Sequence, residues 1–158
     1  MPSKLLKVKA QPTTFGGLSR SELMSRVRSR GNVTTELRLL HLLRDAGLTG
    51  WRRHISIPGC PDFGWLRLRV AVFVHGCFWH GHTCRRNLKP RSNVAEWCEK
   101  ITRNRMRDIR LTRSLRRSGW SVITVWECQL QSAPEASIRR ITRHLSLKEN
   151  KRGREETL

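Results

Sequence analysis

The sequence predicts a mixed β-sheet flanked by helices, and three observations carry that expectation. Extended and helical patterns alternate along the chain in the order α-β-β-β-α-β-α. Residues 69–74 (Arg-Val-Ala-Val-Phe-Val) form a short β-branched apolar run bounded by polar segments, as a buried strand does. Residues 120–126 (Trp-Ser-Val-Ile-Thr-Val-Trp) repeat that character after a long basic segment with helical spacing. A length of 158 residues suits one domain with a single core.

Residues 1–18 hold little to bury and read as a flexible basic arm, the main domain running over 19–148. Thr34 and Thr35 are placed to cap a helix through about Ala46, with Leu37, Leu40 and Leu43 on one side and Gly47 as its stop. Residues 51–57 alternate as a strand would, and Pro58-Gly59 turns the chain. Pro61-Asp62-Phe63 opens a second extended stretch, and residues 69–74 make the third strand. A long basic helix is expected over 93–118. Asn93 would cap it with Glu96 three residues on, Trp97, Ile101 and Ile109 would anchor it, and Gly119 would stop it. After the strand at 120–126, a closing helix spans Pro134 to about Lys148, and residues 149–158 form a charged, disordered tail. No internal repeat is visible.

The formal charge is +20, from 32 Lys and Arg against 12 Asp and Glu. Self-repulsion of that size destabilises a compact chain unless a polyanion neutralises it. Nucleic acid is the expected partner, because arginine pairs with phosphates in bidentate fashion. A membrane surface is the weaker alternative: no segment is apolar enough to span a bilayer, and no basic helix has a clean apolar face. Met1 to Ala10 lacks the apolar run of a signal peptide, so the chain is expected in the cytoplasm. An odd count of five cysteines argues for metal ligands or thiols rather than a disulfide framework.

The densest chemistry lies at 75–84, His-Gly-Cys-Phe-Trp-His-Gly-His-Thr-Cys. Cys77, His82 and Cys84 fall within eight residues, and Cys128 follows the last strand. Thiolates with one imidazole are a ligand set for tetrahedral zinc, and four protein ligands would close its shell and make it structural. The bland alternative is small buried cysteines beside a surface histidine. Cys60 and Cys98 are left over as structural thiols. His75 and His80 then stay available near Asp62. A carboxylate at a strand, helped by a backbone carbonyl, suits Mg2+, and a neutral imidazole suits proton transfer. Taken alone, the signal is weak: a Pro-Asp pair is more often a turn, and a lone histidine more often a surface or satisfied core residue. Phe78 and Trp79, between the zinc ligands, are either core or a wedge that unstacks bases, and Trp97 joins them under either reading.

These residues resemble the very short patch repair (Vsr) endonucleases over about Ser19 to Leu130. The resemblance rests on Met24-Ser25-Arg26-Val27, Glu36, Pro58-Gly59-x-Pro61-Asp62-Phe63 and the run from Val72 through Cys84. It continues in Trp97-x-x-Lys100-Ile101-x-x-Asn104, Asp108, Gly119-Trp120 and Val125-Trp126-Glu127-Cys128. It implies a restriction-endonuclease-like fold with an added zinc site. It implies a Mg2+-dependent nick 5′ of the thymine in T:G mismatches left by 5-methylcytosine deamination, which starts very short patch repair. By position it makes Asp62 the Mg2+ ligand beside the Val74 carbonyl, and His80 the general base. His75 and Glu36 would support the phosphate or the ion's water shell. Cys77, His82, Cys84 and Cys128 become the Zn2+ ligands. Phe78, Trp79 and Trp97 would intercalate from one groove, with Met24 approaching from the other. The implied setting is the bacterial nucleoid, with a monomer acting on duplex DNA beside a cytosine-5 DNA methyltransferase and mismatch-repair proteins. Two rivals share the charge and the cysteines: a zinc-stabilised DNA-binding module without catalysis, and a less selective nuclease of the same fold. Asp62 with His75 and His80 separates an enzyme from a binder, which needs none of them.

Overall fold

The computed structural model describes residues 31–84 and 93–155. The arm at 1–18, Met24, and the last three residues of the tail lie outside them. A π-type turn at Val33–Leu37 leads into helix α1, Arg38–Asp45. Strands β1 (Arg52–Arg53), β2 (Phe63–Trp65) and β3 (Val70–His75) follow. Helix α2 covers Val94–Arg117, β4 Ser121–Trp126, α3 Glu127–Ser132 and α4 Pro134–Glu155.

The four strands form one mixed sheet in the order β1-β2-β3-β4. The first two pairings are antiparallel. β3 and β4 run parallel, from Val70 opposite Ser121 to His75 opposite Trp126. A parallel pair needs a long crossover, and the segment containing α2 supplies it. The alternation of side chains along β3 then sorts the core into two layers. Val70 and Val72 pack with Leu39, Leu43, Phe63, Val125 and Ile141, beneath α1 and α4. Ala71 and Phe73 pack with Val122 and Leu115 beneath α2. The mixed sheet with flanking helices is therefore as expected. No helix among the described residues is long and apolar enough to cross a membrane.

The departures are local. Residues 51–57 pair only at Arg52–Arg53, because His54 (φ 48°) and Cys60 (φ 44°) leave the extended region and residues 55–60 coil through tight turns. The first helix buries Leu39, Leu40 and Leu43, while Leu37 only packs against their edge. Asn93 precedes α2 in a left-handed conformation with no side-chain cap bond. Ile109 is exposed, and Leu115, with Leu111 beside it, docks the helix on the sheet instead. The closing helix runs beyond Lys148 to Glu155. Lys148 Nζ bonds the Gly119 carbonyl at 3.2 Å and Arg152 Nη1 that of Arg67 at 3.1 Å, so tertiary partners hold the charged turns in place.

Candidate active site and metal centre

Three side-chain clusters gather around the C-terminal end of β3. In the first, Asp62 lies just before β2, and its Oδ2 accepts the Val74 amide hydrogen at 2.7 Å. This pins the carboxylate to β3 one residue ahead of His75. The group of Val74 that meets the carboxylate is thus its N–H. Glu36, 3% exposed, enters from the turn before α1. Arg53 pairs with its Oε1, through Nε at 3.0 Å and through Nη2, and His54 Nε2 stands 2.9 Å from the same oxygen. Ligand atoms of Glu36, His54 and Asp62 lie within 4.8 Å of one another. Burial raises the Asp62 carboxyl above its ordinary value. The Val74 amide works against this and the Glu36 charge with it. A cation among these carboxylates would relieve both effects, so this donor set suits a divalent ion.

In the second cluster, the His75 and His80 rings stack at 3.8 Å, 8° from parallel. His80 Nδ1 lies 2.6 Å from Asp108 Oδ2 on α2. With Nδ1 donating to the carboxylate, Nε2 carries the lone pair, which is the tautomer of a general base. Burial raises the Asp108 carboxyl, but its bond to His80 and the histidine charges outweigh this and hold it below its ordinary value. Burial and the His80 charge push His75 down to about 3, so its ring is neutral near pH 7. The linkage has one sign. A histidine depressed from 6.5 to about 3 leaves the unfolded chain holding more protons across that window, so stability falls as pH drops through it. The expected slope from this group is up to about 1.4 kcal/mol per pH unit. Urea unfolding of His75→Asn should show a flatter acid limb than the parent; identical limbs would reject the shift. A groove of about 350 Å³ joins the two histidines and Asp108 to Arg105, Arg113 and Arg116. A cavity of about 410 Å³ elsewhere, beside Thr49, Trp65 and Arg152, has no histidine in its lining.

The third cluster brings Cys77, His82, Cys84 and Cys128 together, their ligand atoms all within 4.8 Å of one another. Cys128 sits in the first turn of α3, which the parallel register delivers beside the end of β3. His82 Nδ1 is 3.5 Å from Cys128 Sγ, and the His82 ring stacks on Trp126 at 4.2 Å. Bond lengths of about 2.3 Å to sulfur and 2.0–2.1 Å to nitrogen place tetrahedral S and N ligands about 3.5 Å apart. Burial, then the Cys77 and Cys84 thiols, push Cys128 up to about 11. A cation would favour the thiolate forms over these crowded thiols, and the four residues could hold one. Cys60 and Cys98 are both exposed, so neither is packed as a structural thiol.

Phe78, Trp79 and Trp97 form an aromatic triangle with centroids 5.3–5.5 Å apart. All three are half-buried and belong to neither core layer. Lys100 Nζ lies over both tryptophans at 5.3 and 5.4 Å. Helical spacing explains how one helix organises this loop: Trp97, Lys100, Asn104 and Asp108 share a face of α2. Asn104 Nδ2 donates to the Trp79 carbonyl at 2.9 Å. Gly81 (φ 60°) permits the approach, since a Cβ there would sit 2.6 Å from Ile101 Cγ2. The spacing of Asn104 and Asp108 was the available signal for the His80 partner. Sequence reasoning assigned no role to Asp108, nor to His54, Arg53 or Glu127, whose Oε2 accepts the Cys77 amide at 3.4 Å.

A pinned carboxylate, a carboxylate-oriented imidazole and a Cys/His knot, on so basic a chain, are the parts of a nuclease. Comparison with known proteins places that class. Residues 14–86 match the family model described as DNA mismatch endonuclease Vsr. The nicking enzyme V.XorIIP of Xanthomonas oryzae pv. oryzae is 41% identical over 124 residues, 77% of this chain and 90% of that protein. The DNA mismatch endonuclease Vsr of Escherichia coli K12 is 37% identical over 127 residues, 80% of this chain and 81% of that protein. V.NmeDIP, a nicking enzyme of Neisseria meningitidis serogroup C, is 37% identical over 108 residues, 68% and 72% of the two chains. This chain belongs to the Vsr family of DNA mismatch endonucleases.

Proposed function

We propose that this protein nicks duplex DNA 5′ of the thymine in T:G mismatches produced by 5-methylcytosine deamination, and so begins very short patch repair. The observation that carries the proposal is the pairing of two clusters on one strand: Asp62 bonded to Val74, and His75 stacked on the Asp108-oriented His80. The mixed sheet with its parallel β3–β4 pair supports a restriction-endonuclease-like reading of the fold.

Asp62, with the Val74 carbonyl, would hold Mg2+, with Glu36 close enough to join them. When bound, that ion supplies activation of water and charge stabilisation at the phosphate. His80 Nε2 takes the proton of the attacking water. Asp108 stabilises the imidazolium that results, and its fixed bond to Nδ1 keeps Nε2 free for the task. His75, held neutral by burial and stacked on His80, would donate to the phosphate. Cys77, His82, Cys84 and Cys128 would hold Zn2+, tying the loop after β3 to the start of α3. On that support Phe78, Trp79 and Trp97 would enter the base stack, at a cost of a few kcal/mol that is smallest at a mismatch. Met24 would approach from the opposite groove. The partners would be a cytosine-5 methyltransferase, which makes the vulnerable base, and the mismatch-repair proteins. The protein would act as a monomer.

The test is a strand-specific nicking assay on T:G and matched duplexes, with Mg2+ or EDTA. A Mg2+-dependent nick 5′ of the mispaired thymine supports the reading. Equal cutting of matched duplex would make the protein a less selective nuclease, and tight binding without a nick would make it a binding module. The wedge carries its own expectation. Phe78→Ala with Trp79→Ala should lower preference for the mismatch about tenfold or more while changing affinity for matched duplex far less. Equal losses on both duplexes would mean the aromatics serve packing.

A further inference from the structure

We propose that His54 is a third ligand beside Glu36 and Asp62, and that its imidazole biases the catalytic ion site toward first-row transition ions such as Co2+ over Mg2+. The inference rests on the reading of Asp62 as an ion ligand and adds the residue that sets which ion is preferred.

Pairing of Arg53 with Phe63 places His54 directly beside Asp62, and the His54 amide donates to the Asp62 carbonyl at 3.2 Å. His54 holds a left-handed backbone, φ 48°, where the chain leaves β1. That turn aims the ring inward, so Nε2 reaches Glu36 Oε1 at 2.9 Å instead of continuing the strand. An octahedral ion with bonds of about 2.1 Å separates neighbouring ligands by about 3 Å, and His54 Nε2 and Glu36 Oε1 have that spacing. All three ligand atoms fall within 4.8 Å of one another, as ligands of one ion must. Arg53 pairs with the same Glu36 oxygen. Its side chain is 34% exposed, so it can swing to solvent as the ion arrives without uncovering the core.

Two carboxylates alone form a hard oxygen site that serves Mg2+. A neutral imidazole adds a nitrogen donor that Mg2+ scarcely uses, and that ions later in the first transition row bind progressively better. His54 would donate through Nε2 with its proton on Nδ1.

The experiment measures Co2+ and Mg2+ affinity directly, on protein whose Cys/His cluster is saturated with zinc. It is run on the free protein and on its complex with a nick-resistant duplex. Weak d–d bands report Co2+ in an oxygen and nitrogen site, whereas intense sulfur-to-metal charge transfer would reveal exchange at the thiolates. His54→Asn is the variant of choice, because asparagine tolerates the left-handed backbone. Expected is a Co2+ affinity lowered at least about tenfold, the scale seen when even an outer partner of a metal ligand is lost, with Mg2+ affinity within about twofold. An unchanged ratio of the two affinities in His54→Asn overturns the inference and leaves the Asp62 reading intact. If Asp62→Asn keeps both ions, that reading fails as well. If the parent protein binds neither ion in either form, the inference is also overturned.

Discussion

Asp62→Asn is expected to lower nicking by on the order of 10³-fold or more, about 4 kcal/mol in the barrier, while duplex binding stays close to that of the parent. Asparagine keeps an oxygen to accept the Val74 amide, so the local backbone has no reason to move. What disappears is the negative charge that would hold the ion. The same substitution should raise the stability of the metal-free protein. Burial lifts the Asp62 carboxyl in the folded state, so its contribution to stability is greatest below its ordinary value and is lost as pH rises through the folded one. At neutral pH the ionised carboxylate opposes folding, and its removal favours the fold. Thermal melting in EDTA reads one effect and single-turnover nicking the other. A variant that nicks at the parental rate would end the assignment of Asp62. A variant that melts lower would show that Asp62 acts as a structural acceptor.

The second large effect is expected at the thiolates. Cys128→Ser should abolish stoichiometric zinc and lower folding stability by several kcal/mol. Binding of structural zinc in small peptides is worth about 10–16 kcal/mol at pH 7, and there it is the whole of the folding free energy. Neither apolar layer includes any of the four ligand residues, so the sheet should persist and the loss should concentrate in the loop after β3. That loop carries His80 and the aromatic triangle, so nicking and mismatch preference should fall together. Metal analysis, urea unfolding and nicking on the same preparation test the chain of consequences. One retained zinc with unchanged unfolding would exclude Cys128 as a ligand.

Much of the architecture was legible because its signals are local. The β-branched run at 70–74 could bury itself only as a strand, and the helical spacing from Val94 to Leu115 could form only a helix with one docking face. The four metal-type ligands were legible for a similar reason: Cys77, His82 and Cys84 are close in sequence, and only Cys128 required tertiary reasoning. Where local signals misled or left a choice open, a tertiary contact prevailed. Trp97 read equally as a core anchor or as a companion of Phe78 and Trp79, and it packs on that pair, where the loop after β3 meets the first turn of α2. The closing helix continues to Glu155 because carbonyls of residues 67 and 119 meet its cationic side chains. His54, inside a stretch that alternates like a strand, turns inward on a backbone conformation that side-chain patterning does not encode.

Taken alone, the amino-acid sequence determined the sheet-and-helix class, the polyanion-seeking charge and the inventory of reactive side chains, since each follows from composition or from spacing along the chain. Which of those side chains work together was decided only by the tertiary structure. The parallel register of β3 with β4 brings Cys128 to Cys77 across 50 residues of chain, one face of α2 carries Asp108 to His80, and a left-handed turn sets His54 against Glu36. Such pairings depend on distances of a few ångströms between segments remote in sequence, which strand register and helix docking create together.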